Sequence, residues 1–121
     1  MIPPELAHTM ERYRLAYLIT VNADARAHVA VVTPAVADGR LSVTGLGKGS
    51  RGTVAVSPAV TLLWPPAETD GHSLVVDGVG TLHGDDLMVA PTRAVLHRPA
   101  ERPSPGAGGC QADCIELPVQ R

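Results

Sequence analysis

The turns constrain this chain most. Asp38-Gly39 and Gly84-Asp85 each separate two runs rich in Val, Leu, Met and Thr, and Asn22-Ala23-Asp24-Ala25 does the same earlier. Loops this short join antiparallel neighbours, whereas a parallel pair needs a crossover of about a dozen residues or more. The sheet is therefore built from hairpins. Residues Leu15–Val21, Arg26–Val36, Arg40–Thr44, Ala59–Trp64, Ser73–His83 and Asp86–Arg98 read as strands. Asp77-Gly78 within a strand predicts a bulge, and Pro91 marks an edge or a second irregularity. Two short helices complete the pattern. Pro3–Arg14 places Leu6, Met10 and Tyr13 on one face, and Ser50–Ser57 has Ser50 as N-cap and Pro58 as its stop. About six strands at this spacing point to a closed antiparallel barrel.

The core of such a barrel must come from Val, Leu, Ile and Ala. Trp64, Tyr13 and Tyr17 are the only aromatic residues and Phe is absent. An apolar face buried against a second copy would add to so lean a core, which makes a homodimer plausible. At 121 residues the chain supports one core. Its formal charge of −2 argues against a general nucleic-acid-binding surface. No apolar run reaches membrane-spanning length, and Met-Ile-Pro-Pro-Glu lacks a signal pattern, so no membrane association and a cytoplasmic location are expected. Residues 1–98 read as the barrel domain. Residues 99–121 read as a Pro/Gly-rich connector followed by a tail carrying Cys110 and Cys114. These cysteines suit reduced or redox-responsive thiols first, a disulfide second and a metal half-site third; two thiols do not complete a zinc site.

One stretch stands out chemically. Leu41-Ser-Val-Thr-Gly-Leu-Gly-Lys-Gly-Ser-Arg-Gly52 breaks from a strand into glycines and holds the sole lysine. A glycine-rich strand exit brings backbone N–H groups close to an anion, and Lys48, Ser50 and Arg51 add charge and a hydroxyl. The alternative is a solvated strand-to-helix turn with Ser50 as cap. Gly47 to Gly52 matches G-x-G-x-x-G formally. However, Pro58 ends the helix too soon for a βαβ crossover, and the flanking strands are hairpin-linked. No serine lies in a G-x-S-x-G elbow. Of the histidines, His28 lies on a strand feeding the glycine stretch and His97 near the end of another, while His8, His72 and His83 fall at helix or turn positions.

The element order is similar to that of the FMN-binding split-barrel family, which includes pyridoxamine 5′-phosphate oxidase and F420-dependent reductases. The resemblance is carried by Ala16-Tyr-Leu-Ile-Thr-Val-Asn22, the turn Gly45 to Gly52, Ser57-Pro-Ala-Val-Thr-Leu-Leu-Trp-Pro65 and Ser73-Leu-Val-Val-Asp-Gly78. It implies a mainly β, six-stranded antiparallel split β-barrel with one or two short helices. It also implies an obligate homodimer with an FMN or F420 site at the subunit interface. In such a protein Thr44, Lys48, Ser50 and Arg51 would hold the cofactor phosphate. His28, Ala30 and Val43 would lie near the ring, and the strand ending at Trp64 would close the pocket from the opposite subunit. Members often carry several Lys or Arg residues in this turn, followed by an Asn-Leu pair in the helix, where this chain has Gly52, Thr53 and Val54. The expected function is that of a flavin- or deazaflavin-dependent oxidoreductase acting on a small-molecule substrate, with no catalytic residue identified and no metal site. The alternatives are a non-catalytic flavin- or haem-binding barrel, with His28 or His97 as axial ligand, and a cofactor-free structural or interaction barrel.

Overall fold

A computed structural model describes residues 2–99 and 112–120. In chain order the elements are α1 (Pro4–Met10), β1 (Ala16–Val21), β2 (Ala27–Val32), β3 (Ala35–Ala37), β4 (Arg40–Val43), α2 (Lys48–Val56), β5 (Ala59–Trp64), β6 (Ser73–His83), β7 (Asp86–Pro99) and β8 (Ala112–Leu117). The hairpins form where the turn chemistry places them. Asn22 organises the first: its Oδ1 accepts from the N–H groups of Asp24 and Arg26 at 2.9 and 3.0 Å. Asn competes with backbone acceptors in this way, which is why it starts turns.

All strand pairs are antiparallel, in the order β2-β1-β5-β6-β7-β4-β3, with β8 on β7. β2 and β3 stand at opposite ends of this order, yet only Thr33 and Pro34 separate them in the chain. The sheet must therefore curl until its two ends approach. Pro34 has no N–H to give a ladder and restricts Thr33, so the single strand expected over 26–36 is bent into two. This division, with β8 contributed by the tail, raises the strand count among the described residues from the expected six to eight. The mainly β split-barrel architecture with two short helices is as expected.

The β6–β7 hairpin carries the predicted bulge. Asp77 pairs with Arg93 and Gly78 with Pro91, leaving Thr92 as the extra residue. Thr92 Oγ1 donates to the Asp77 carbonyl at 3.2 Å. Gly78 is required by close approach: a Cβ there would lie 2.6 Å from Val89 Cγ1 and 2.7 Å from the Ala90 carbonyl oxygen.

The core is aliphatic, as composition demanded. Leu6, Leu18, Leu41, Leu62, Leu74 and Leu87 are fully buried, with Val43, Val76 and Val89 between them. β1 alternates cleanly: Ala16, Leu18 and Thr20 face inward, and Tyr17, Ile19 and Val21 face outward. α1 ends at Met10, earlier than the expected Arg14. Tyr13 still packs against the core, and its hydroxyl donates to the His72 carbonyl at 2.9 Å. The expected domain boundary at 98/99 falls between the last two residues of β7, and β8 from the tail joins the same sheet. Most of the expected connector, with Cys110, lies outside the described residues.

Candidate functional site

The glycine stretch becomes the exit from β4 and the start of α2, which packs on β1, β2 and β6. The helix begins at Lys48 with Gly47 as N-cap in an extended conformation. It has no side-chain cap and no acidic residue in its first turn. Ser50 is thus not the cap expected from the sequence. It lies inside the helix at 2% exposure, and its Oγ is 3.1 Å from His28 Nε2. This pair ties β2 to the first turn of α2. Gly49 permits the approach, since a Cβ there would lie 3.3 Å from His28 Cε1. Lys48 is exposed and lines a shallow groove with Asn22, Asp24, Gly49, Thr53 and Val56. An uncapped helix start with a lysine at its first position attracts anions through its open N–H groups and the helix dipole.

Two carboxylates temper that field. Arg51 is ion-paired with Asp85. The Gly45 N–H donates to Asp86 Oδ1 at 3.2 Å and the Leu46 N–H to the Asp85 carbonyl at 2.7 Å. The chain's own acids therefore occupy part of the nest that the glycines make. Neither Asp85 nor Asp86 was a sequence candidate. Asp85 lies in the turn closing β6 and β7 and Asp86 opens β7, and they reach the glycine stretch because β4 pairs with β7, with Val43 opposite Leu87. No local signal encodes that pairing.

The structure joins His28 to Ser50, while Lys48 faces the groove beside Asn22 and Asp24, and Arg51 faces Asp85. Thr44 is exposed and directly precedes Gly45. Ala30 is half-buried on the same face of β2 as His28. Val43 and Trp64, at 1% and 3% exposure, face into the core rather than into an open pocket. Period-two alternation places them there: Val43 follows Leu41, and Trp64 follows Val60 and Leu62, on the inner face. Among the described residues no cluster of three or more His, Cys, Asp or Glu could hold a metal ion, and no helix is long and apolar enough to cross a membrane.

A second polar cluster lies at the other end of the sheet. Asp113 on β8 accepts from Arg98 Nη2 at 2.6 Å and is 3.2 Å from His72 Nε2. The Arg98 hydrogen bond, with His72 adding to it, holds the Asp113 carboxyl below the usual carboxylate range. Burial pushes the Tyr13 phenol up, with Arg12 opposing. His97 Nδ1 is 3.4 Å from Cys114 Sγ across the β7–β8 pair.

An antiparallel sheet curled until its end strands approach, with a short helix seated after a glycine-rich strand exit, defines a split-barrel protein. No protein-family model matches the chain. It is 38% identical over 131 residues to uncharacterized proteins of Mycobacterium bovis and Mycobacterium tuberculosis, covering 94% of this chain and 92% of each relative. Among solved structures it resembles a candidate pyridoxamine 5′-phosphate oxidase from Listeria innocua, with TM-score 0.65, 14% identity, and 76% of this chain and 94% of that one covered. It also resembles an F420 reductase, with TM-score 0.63, 18% identity and coverages of 77% and 98%. A haem-binding protein from Mycobacterium smegmatis matches 96% of this chain and 60% of its own, with TM-score 0.58 and 14% identity. The chain belongs to one family with these uncharacterized mycobacterial proteins and shares the split-barrel fold of the solved structures.

Proposed function

We propose that this protein binds a phosphate-bearing flavin or deazaflavin, FMN or F420, and acts as an oxidoreductase on a small molecule. One observation carries the reading: α2 starts uncapped, with Lys48 at its first position and no acidic side chain in its first turn. That donor set suits a phosphate, which needs N–H groups and positive charge together. Lys48 and the helix start would hold the phosphate. Ser50 and His28 would fix the helix start against β2, since Ser50 Oγ is buried and already bonded to the imidazole. The cofactor would supply the hydride chemistry, and the protein would bind, orient and exclude water.

The second subunit belongs to this proposal. The outer face of β1 and β2 exposes Val29 at 54% and Val31 at 64%, beside Tyr17, Ile19 and Val21. Covering these residues with a second copy accounts for so much exposed branched apolar surface on one sheet face. The test is the absorption spectrum of purified protein, followed by titration with FMN and with F420. Saturable binding of either supports the reading, and failure to bind both overturns it.

A haem-binding reading is favoured by a different observation. The likeness to the Mycobacterium smegmatis haem-binding protein extends over 96% of this chain, and His97 stands half-buried beside Cys114. A Soret band that is lost in His97→Ala would decide for it.

A further inference from the structure

The groove beside Lys48 has two walls. One is α2, which presents Gly49, Gly52, Thr53 and Val56, spaced as one face of a helix. The other is the β1–β2 turn, which contributes Asn22, Ala23 and Asp24. That turn is fixed from within. Asn22 Oδ1 accepts from the Asp24 and Arg26 N–H groups, and the Asn22 N–H donates to the Arg26 carbonyl at 2.9 Å. Asp24 is thus held in the groove wall, and its carboxylate has no ion-pair partner among the described residues. Arg26 does not line the groove. Arg51 falls off the helix face that lines it, and Asp85 holds the guanidinium there. Asp86 accepts from the Gly45 N–H. Lys48 and Arg51 therefore meet three carboxylates around the helix start, and Arg51 is already paired.

This charge pattern fits a ligand that ends in its phosphate. FMN is a phosphate monoester whose charge sits on that one group. Lys48 and the open N–H groups of the helix start are enough to meet it. F420 differs beyond its ring. Its phosphate is a diester, and a tail bearing several glutamyl carboxylates continues from it. A tail leaving along the groove would pass Asp24, and one leaving toward Arg51 would meet Asp85. Like charges set together across a site act chiefly against the wrong partner. On the basis of the phosphate site assigned above, we propose that Asp24 and Asp85 are specificity determinants, through which the site accepts FMN and rejects the polyanionic F420. Asp24 repels the additional carboxylates directly. Asp85 acts through Arg51, by withholding the guanidinium from them.

Equilibrium titration of the full chain with FMN and with F420 at low ionic strength, read by fluorescence, tests this. FMN is expected to bind about tenfold tighter, the scale of two exposed like-charge contacts. Replacing both residues (Asp24→Asn with Asp85→Asn) leaves the backbone hydrogen bonds of the two turns in place. The preference should then shrink to about threefold or less, mostly through stronger F420 binding. Added salt should narrow it in the wild type as well, because exposed charges are screened. F420 binding as tight as FMN binding in the wild type, or tighter, would overturn the preference and leave the phosphate site standing. A preference that persists unchanged in the double variant would remove Asp24 and Asp85 as its cause. If neither cofactor binds either protein, the phosphate site and its selectivity fall together.

Discussion

Lys48 and Arg51 are three positions apart and chemically alike in charge, but their surroundings separate them. Lys48 projects from the helix start with no carboxylate partner among the described residues, whereas Arg51 is paired with Asp85. Lys48→Ala should therefore weaken FMN or F420 binding by about 1.5–3 kcal/mol, the range of a charge-assisted bond. Arg51→Ala should cost less than about 1 kcal/mol, because an exposed pair already absorbs its charge. Asp85→Asn should tighten binding by releasing Arg51. Fluorescence titration of the three variants checks the order, and equal losses in Lys48→Ala and Arg51→Ala would refute it. Gly78 makes a separate prediction. A methyl group there collides with Val89 and with the Ala90 carbonyl, so Gly78→Ala should lower unfolding stability by about 1–3 kcal/mol in chemical denaturation. The need for a bulge at Asp77-Gly78 was legible from glycine in a strand. The collision that demands glycine was not, because Val89 and Ala90 come from the next strand.

At the scale of elements, strand and helix positions followed from turn chemistry and periodicity. Departures occurred where a single residue outweighed the pattern. Pro34 divided a strand, and an uncapped start at Lys48 moved α2 two residues earlier than the serine signal suggested. Faces were less visible than elements. The segment Ala59–Trp64 reads as mostly apolar on both faces, yet its inner face is Val60, Leu62 and Trp64, while Thr61 and Leu63 turn outward. Together with Tyr17, Ile19, Val29 and Val31 this outer surface is the proposed dimer face. Val31→Asp should shift the protein from dimer to monomer in sedimentation velocity, since one desolvated charge at such a centre is costly. A wild-type protein that sediments as a monomer would remove the dimer from the proposal.

For the whole molecule, the decisive feature is that consecutive strands lie at opposite ends of the sheet order. Two residues bridge β2 and β3, so curling is a consequence of connectivity rather than of any local preference. Inserting four Gly/Ser residues between Thr33 and Pro34 relaxes that tether. Loop-closure entropy grows only logarithmically, so the cost should be about 1 kcal/mol with the barrel retained. Urea denaturation of the insertion variant tests this, and a loss several times larger would mean that strand continuity through Pro34 itself holds the barrel.

By itself the sequence determined the hairpin-built sheet, the aliphatic core, the bulge and the position of the basic glycine turn. Each rests on interactions between residues close in the chain or on a composition that leaves no alternative. Tertiary structure alone decided that Ser50 faces His28 and that Val43 and Trp64 turn inward. It also decided that Asp85 and Asp86 reach back to the glycine stretch and that the tail supplies Asp113 to His72. The contacts among these span from 22 to 41 residues of chain, and they follow from which strands pair, a choice made by the closing of the barrel as a whole.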